Sequence, residues 1–351
     1  MESIAAESMR KALEIYRVLE DEESKEIFLN KLLYLITRKD KYWHDILRYK
    51  NKEVFKQLSD LSKETKEIII YGAGAYCEPV LKMCQEEGCC ISYICDKDAA
   101  KQGKEINDIT IISPEELIKE HKTAIVIISS LRYSEEIQLY LLNYFPENQI
   151  IPFAGNGLLE FVDNQYFAED IIKFEDGEVF VDGGCFDFET SKFLLQRCKV
   201  KHIYAFEPDK NNLIKVQDGI KETGFDNVTV FNKGLWDKED KLYFNASGDI
   251  LSHVTSSGSN EDMIETVALD QVIDEKVTFI KMDIEGSELK ALEGAKNLIC
   301  TYKPKLAICI YHKPEDTIDI PAYIKSLVPE YRFWIRHYSY SPAETVLYAT
   351  L

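Results

Sequence analysis

The chain of 351 residues carries 61 Asp and Glu against 42 Lys and Arg, a formal charge of −19, with 45% hydrophobic and 29% charged residues. That balance fits a globular enzyme of two domains, at a prior of about 150 residues each, and excludes a disordered, collagen-like or disulfide-framework chain. So acidic a surface repels phosphate backbones and anionic lipid, which argues against nucleic-acid and membrane partners.

Residues 1–65 read as a helical N-terminal segment. Ile27, Phe28, Leu32, Leu35 and Ile36 recur at helical spacing, and Asp21 is placed to cap a helix whose first turn holds Glu22 and Glu23. This segment is expected to be a packing layer without chemistry. The start, Met1-Glu2-Ser3-Ile4, has no basic stretch followed by an apolar run, so no signal peptide is expected. The nine cysteines are scattered without C-x-x-C or zinc spacing. They read as reduced thiols of a cytoplasmic protein.

Residues 66–153 read as a small Rossmann-like domain. Glu67–Tyr71 is a buried-strand run ending in Gly72-Ala73-Gly74-Ala75-Tyr76, then come a helical stretch and a second strand closed by Asp96. Strand, glycine turn, helix, strand and acid make a dinucleotide-type βαβ unit. With Gly103-Lys104-Glu105 and Ser113-Pro114-Glu115-Glu116-Leu117, it resembles the small domains of nucleotide-sugar-modifying enzymes. That resemblance implies a nucleotide-sugar site on Gly72, Gly74 and Asp96. The plain structural alternative is a docking domain whose glycines only turn the chain.

Residues 154–351 repeat the architecture without repeating the sequence. Glu178–Gly184 is a strand with a glycine turn, and strand-like runs follow at 202–206, 228–231, 277–282, 306–310, 331–335 and 345–348. Helical stretches near 189–199, 209–222, 287–300 and 320–327 alternate with several of them, which implies an α/β fold with a mostly parallel sheet covered on both faces. Asp182-Gly183-Gly184 closes the first strand, and Tyr204-Ala205-Phe206-Glu207-Pro208 ends the next with an acid able to hold ribose hydroxyls. An acid at position 182 disfavours phosphate but suits the ammonium of an amino-acid moiety, which points to S-adenosylmethionine as the nucleoside cofactor.

The string Phe279-Ile280-Lys281-Met282-Asp283-Ile284-Glu285-Gly286-Ser287-Glu288, continuing to Ala295, resembles the hallmark of FkbM-type S-adenosylmethionine-dependent methyltransferases. Val181–Ser191, Tyr204–Asp209 and Glu344–Ala349 match the same family, and the resemblance spans roughly residues 155–351. Phe188 is a departure, standing where the family's loop keeps another glycine. The resemblance implies a class I methyltransferase fold and methyl transfer to a hydroxyl of a saccharide, nucleotide-linked sugar or secondary metabolite. It implies that Asp182, Gly183, Gly184 and Thr190 line the methionine part of the cofactor, Glu207 its ribose, and Gly234 and Leu235 its adenine.

Methyl transfer to oxygen needs in-line placement and removal of the acceptor's proton. Of six histidines, His312 follows the fifth strand of the third segment and is the first candidate base, expected to work as a neutral imidazole; His337 is the second. Asp283 and Glu285 join it as candidate catalytic residues, while Glu288 reads as an acid that merely complements a helix N-terminus. No metal is expected. A homo-oligomer is compatible with the sequence. The rival functions are a nicotinamide-dependent oxidoreductase built on Gly72 and Asp96, and a non-catalytic nucleotide-binding protein.

Overall fold

The computed structural model describes residues 2–63, 66–153, 165–244, 254–255, 263–339 and 341–351. It divides into two compact units: Met1–Lys39 with Asp163–His337 and Pro342–Leu351, and Asp40–Val162 with Tyr338–Ser341. Residue 154, where the sequence puts the second boundary, lies outside the described residues.

The smaller unit holds a six-stranded sheet of β1 (Ile68–Tyr71), β2 (Ile91–Cys95), β3 (Glu105–Ile106), β4 (Ile109–Ile112), β5 (Ile125–Ile128) and β6 (Ile150–Ile151), in the order β3-β4-β2-β1-β5-β6. All neighbours are parallel except β3 and β4. β1 and β5 are buried at every position, as expected of central strands covered on both faces.

The larger unit is built on a seven-stranded sheet. Its strands are β7 (Glu178–Gly183), β8 (Val200–Phe206), β9 (Val228–Phe231), β14 (Phe279–Met282), β15 (Lys305–Cys309), β16 (Arg332–His337) and β17 (Thr345–Thr350), in the order β16-β17-β15-β14-β7-β8-β9. β17 runs antiparallel between β15 and β16; the rest pair in parallel. Beside it lies a four-stranded sheet that the sequence reading did not anticipate: β10 (Gly234–Leu235), β11 (Asp240–Phe244), β12 (Val254–Thr255) and β13 (Met263–Val267). The stretch expected to be helical over 287–300 is two helices, Glu288–Glu293 and Lys296–Tyr302, broken at Gly294. No described helix is long and apolar enough to cross a membrane.

The N-terminal helices are not a segment of their own. Helices Glu2–Val18 and Glu22–Thr37 belong to the larger unit, and Asp40–Lys50 and Lys52–Leu61 to the smaller. The cause is where their side chains find partners. Val54, Phe55 and Leu58 are buried in one core with Ile68 and Ile70. Asp21, by contrast, caps the second helix through Ser24 and also holds the Arg336 guanidinium of β16 at 2.7 Å, and Ser24 Oγ accepts the Ile335 amide at 2.9 Å. The expected apolar stripe is only partly inward, for Ile27 and Phe28 are buried while Ile36 is 75% exposed.

Arg336 is nearly buried and also faces Glu23 and Asp170, so it ties three acids to the sheet edge. Arg336→Met should cost about 1–3 kcal/mol, the range for hydrogen bonds to charged groups, read as a lower urea midpoint. Limited proteolysis should then cut first within residues 1–39; an unchanged midpoint would remove Arg336 as the anchor.

Candidate active site

A cavity of about 510 Å³ opens at the carboxyl ends of β7, β8 and β14. β7 has β8 on one side and β14 on the other, the switch point at which open α/β sheets bind ligands. Leu235, Leu242, Ile264 and Thr266 of the flanking four-stranded sheet wall one side. Gly184, Thr190, Glu207, Gly234, Leu235, Asp283 and Glu285, all singled out from sequence, line it.

The glycine turn is set by close packing. Gly184 has φ +73°, and a Cβ there would overlap the carbonyl oxygen of Asp283, so the turn after β7 and the turn after β14 touch backbone to backbone. Phe188 also stands in the left-handed region, at φ 73°, and is fully buried. A backbone that favours glycine is here held by packing around a phenylalanine.

Asp182 corrects an expectation: it is fully buried and is not a wall of the cavity. Strand register sets it beside Lys281, whose Nζ lies 3.2 Å from Asp182 Oδ1, while Ser191 Oγ donates to Oδ2 at 2.7 Å. Its charge is therefore taken by a lysine, and this carboxylate does not face an incoming ammonium. Gly183 is also behind the wall, packed against Leu235 and the Lys281 carbonyl. Lys281 donates on to the carbonyls of Gly183 at 3.1 Å and Gly184 at 2.6 Å and itself lines the cavity. Burial pushes its ammonium down in pKa, but Asp182 and Asp283 outweigh that and raise it.

Glu207 is 5% exposed on the cavity wall. Its carboxylate accepts the amides of Phe186 at 3.0 Å and Asp209 at 2.9 Å, which fix its direction, and burial holds its pKa above the usual range. A buried carboxylate so held, at the end of the second strand, fits the diol of an adenosine ribose.

The D-I-E-G-S-E stretch folds into one tight turn around His312. Glu285 adopts φ 55°, and at Gly286, φ 85°, a Cβ would press on the flexible end of Lys313. His312 Nε2 lies 3.4 Å from Asp283 Oδ1 and 3.6 Å from Glu285 Oε2. Nδ1 lies 2.9 Å from Glu288 Oε1, off the line of a good hydrogen bond. Burial pushes the imidazole down, yet Glu288, Asp283 and Glu285 lift it to about 9. The neutral form that a base needs is therefore reached only as the pH rises toward about 9. His312 does not line the cavity; it sits directly behind Asp283 and Glu285. Asp283 is held below the usual carboxylate range, because His312 and Lys281 outweigh its burial, whereas burial raises Glu285. His337, the second candidate base, is 1% exposed and bonded to Thr345 Oγ1 at 3.1 Å, away from the cavity. The ligating atoms of Asp283, Glu288 and His312 lie within 4.8 Å of one another, a spacing that admits a divalent cation.

Four contributors escaped the sequence reading. Lys281 stands inside the 279–288 motif string, where its sequence position gives it no role. Tyr166 Oη donates to Asp283 Oδ2 at 2.6 Å, and Tyr311 Oη to Asp283 Oδ1 at 3.1 Å. Glu288 is fully buried, accepts the Ile284 amide at 2.9 Å and sets the imidazole's charge. For Glu288 the legible signal was its repeat of acids around one glycine; Tyr166, distant in sequence, had none.

Gly72, Gly74 and Asp96 meet at a separate cavity in the smaller unit.

Residues 172–342 match the family model described as Methyltransferase FkbM domain, and residues 64–151 the one described as C2185-like, N-terminal. Among solved structures, the methyltransferase FkbM of Methylobacillus flagellatus KT is similar at 21% identity and a TM-score of 0.50, over 85% of this chain and 93% of that one. An rRNA methylase of Streptococcus thermophilus matches at 17% identity and 0.35, over 53% and 92%. A Streptococcus mutans structure in complex with SAH matches at 13% and 0.34, over 54% and 96%. No curated protein matches the chain.

S-adenosylhomocysteine should raise the melting temperature, since a ligand that binds only the native state stabilises it. In Glu207→Gln its affinity should fall by about tenfold or more, as expected when a charged acceptor of hydroxyls is lost; calorimetry showing no change would remove Glu207 from the site. Lys281→Met should destabilise the fold by about 3–5 kcal/mol, because it strands the buried Asp182 charge. Adding Asp182→Asn should recover part of that loss in urea unfolding.

Proposed function

Because this chain carries an FkbM-family methyltransferase domain over residues 172–342, we propose that it methylates a hydroxyl of a saccharide, nucleotide-linked sugar or secondary metabolite in the cavity beside β7 and β14. S-adenosylmethionine supplies, when bound, a methyl group on a sulfonium that is already a good leaving group. Glu207 holds the ribose end, and the Gly184 turn with Thr190 receives the amino-acid end. The observation that carries the acceptor side is the imidazole of His312 set between Glu288 and the two cavity acids, Asp283 and Glu285.

In this reading Asp283 and Glu285 take the acceptor hydroxyl by hydrogen bonds. Asp283 is kept ionised by its neighbours and steadied by Tyr166 and Tyr311, so it stays an acceptor across the working pH. The hydroxyl's proton passes through this carboxylate edge, or one water, to His312. His312 is then the proton sink and Glu288 its positioning residue.

The sign of the pH dependence follows. Only the neutral imidazole accepts a proton, so kcat/KM should rise with pH to an inflection near 9, above the ordinary imidazole value. Glu288→Gln removes the anion nearest Nδ1 and keeps an amide oxygen for the Ile284 amide, so the inflection should move to lower pH. His312→Gln should lose rate by about 10²–10⁴ with S-adenosylhomocysteine affinity nearly unchanged. A wild-type profile flat from about pH 7 to 10 would make a carboxylate the base and overturn the role given to His312.

A further inference from the structure

The smaller unit has a cavity of its own, about 710 Å³, at the carboxyl ends of β1, β2 and β5. β1 lies between β2 and β5, so this too is a switch point of a parallel sheet. Tyr71, Tyr76, Tyr133 and Tyr140 give it aromatic walls. Lys97 and Arg132 flank one of them, with Nζ 5.2 Å and Cζ 5.8 Å from the Tyr133 ring centre, and both are exposed to solvent.

Asp96 decides what such a cavity can take. It follows β2 directly, where a carboxylate can meet ribose hydroxyls. Its Oδ1 accepts the Asp98 amide at 2.8 Å, and its Oδ2 accepts the Ala73 amide at 2.7 Å and Lys101 Nζ at 3.3 Å. A carboxylate offers about four acceptor positions, so one is left for a ligand hydroxyl. The Ala73 amide belongs to the glycine turn, and with a carboxylate on it the turn repels a pyrophosphate instead of cradling one. Anionic charge is met elsewhere, at Arg132; Lys97 beside it is already paired with Glu136 at 3.4 Å.

We infer that this cavity is a nucleoside-monophosphate site: a base lies against the tyrosines, a ribose hydroxyl on Asp96 and one phosphate on Arg132. The same chemistry is offered by a free mononucleotide and by the nucleotide end of a sugar nucleotide. A dinucleotide that needs its pyrophosphate on the glycine turn does not fit.

Gly74 supplies a clean test. It lines the cavity, and a Cβ there would meet no atom within 4 Å, so Gly74→Val should leave the fold and its melting temperature intact while filling ligand space. The full chain, saturated with S-adenosylhomocysteine to block the other cavity, is titrated calorimetrically with AMP, GMP, CMP, UMP, UDP-glucose and NAD. Heat is expected from at least one monophosphate, with NAD weaker by about tenfold or more. Gly74→Val should abolish that heat. Arg132→Ala should weaken the phosphate-bearing ligand by about tenfold or more but leave the parent nucleoside unchanged. UDP-glucose binding tighter than UMP identifies the sugar-nucleotide source; UMP equal to it identifies the free nucleotide. No heat from any monophosphate or from UDP-glucose, NAD as the tightest ligand, or full binding by Gly74→Val would each overturn the site. S-adenosylhomocysteine binding, measured separately, is expected to be the same in both variants.

Discussion

The larger unit depends on one buried ion pair. Lys281 and Asp182 are partners in parallel register at the centre of the sheet, 2% and 0% exposed. Taking both charges out of water is costly, and further hydrogen bonds to both partners offset that cost. Ser191 donates to the second carboxylate oxygen, and the ammonium donates to the carbonyls of Gly183 and Gly184. The glycine turn is thereby tied to the neighbouring strand. Since Gly184 also packs against the Asp283 carbonyl, the turns after β7 and β14 are held as one rigid piece.

That rigidity explains how three acids crowd one turn without flying apart. Asp283, Glu285 and Glu288 would repel each other in isolation, but His312 stands among them as a cation and Lys281 lies beneath Asp283. The two cations differ in kind. Lys281 stays charged at any working pH, while His312 can release its proton, which is what a group handling a hydroxyl's proton must do. Fixed charge sits under the glycine turn after β7, and exchangeable charge sits beside Asp283 and Glu285.

Much of this was legible in the residues. The strand–glycine–helix order placed both sheets, and the acids at 207 and 283 were readable because strand ends deliver them to one edge. What misled was the assumption that an acid at a strand end faces a ligand. Asp182 faces inward, because the alternation of a strand turned it toward Lys281 of the next one, and that pairing is set by register between residues 99 positions apart. The imidazole's charge was unreadable for a related reason: it depends on three carboxylates converging in space. The flanking sheet of β10–β13 escaped because its strands are two to five residues long, with too little alternation to register a period.

The anchoring of the second helix has a consequence for how the chain is made. Ser24 bonds to Ile335 and Lys31 to Thr345, partners 311 and 314 residues away, while the smaller unit's strands all lie in between. On a ribosome adding about 5–20 residues each second, the smaller unit can close first, while the helix ahead of it waits tens of seconds for the strands it packs on. During that interval its apolar face, with Ile27 and Phe28, is uncovered. The acids around it, from Asp21 to Glu26, then serve a second purpose, keeping the waiting helix soluble until β16 and β17 emerge to receive it.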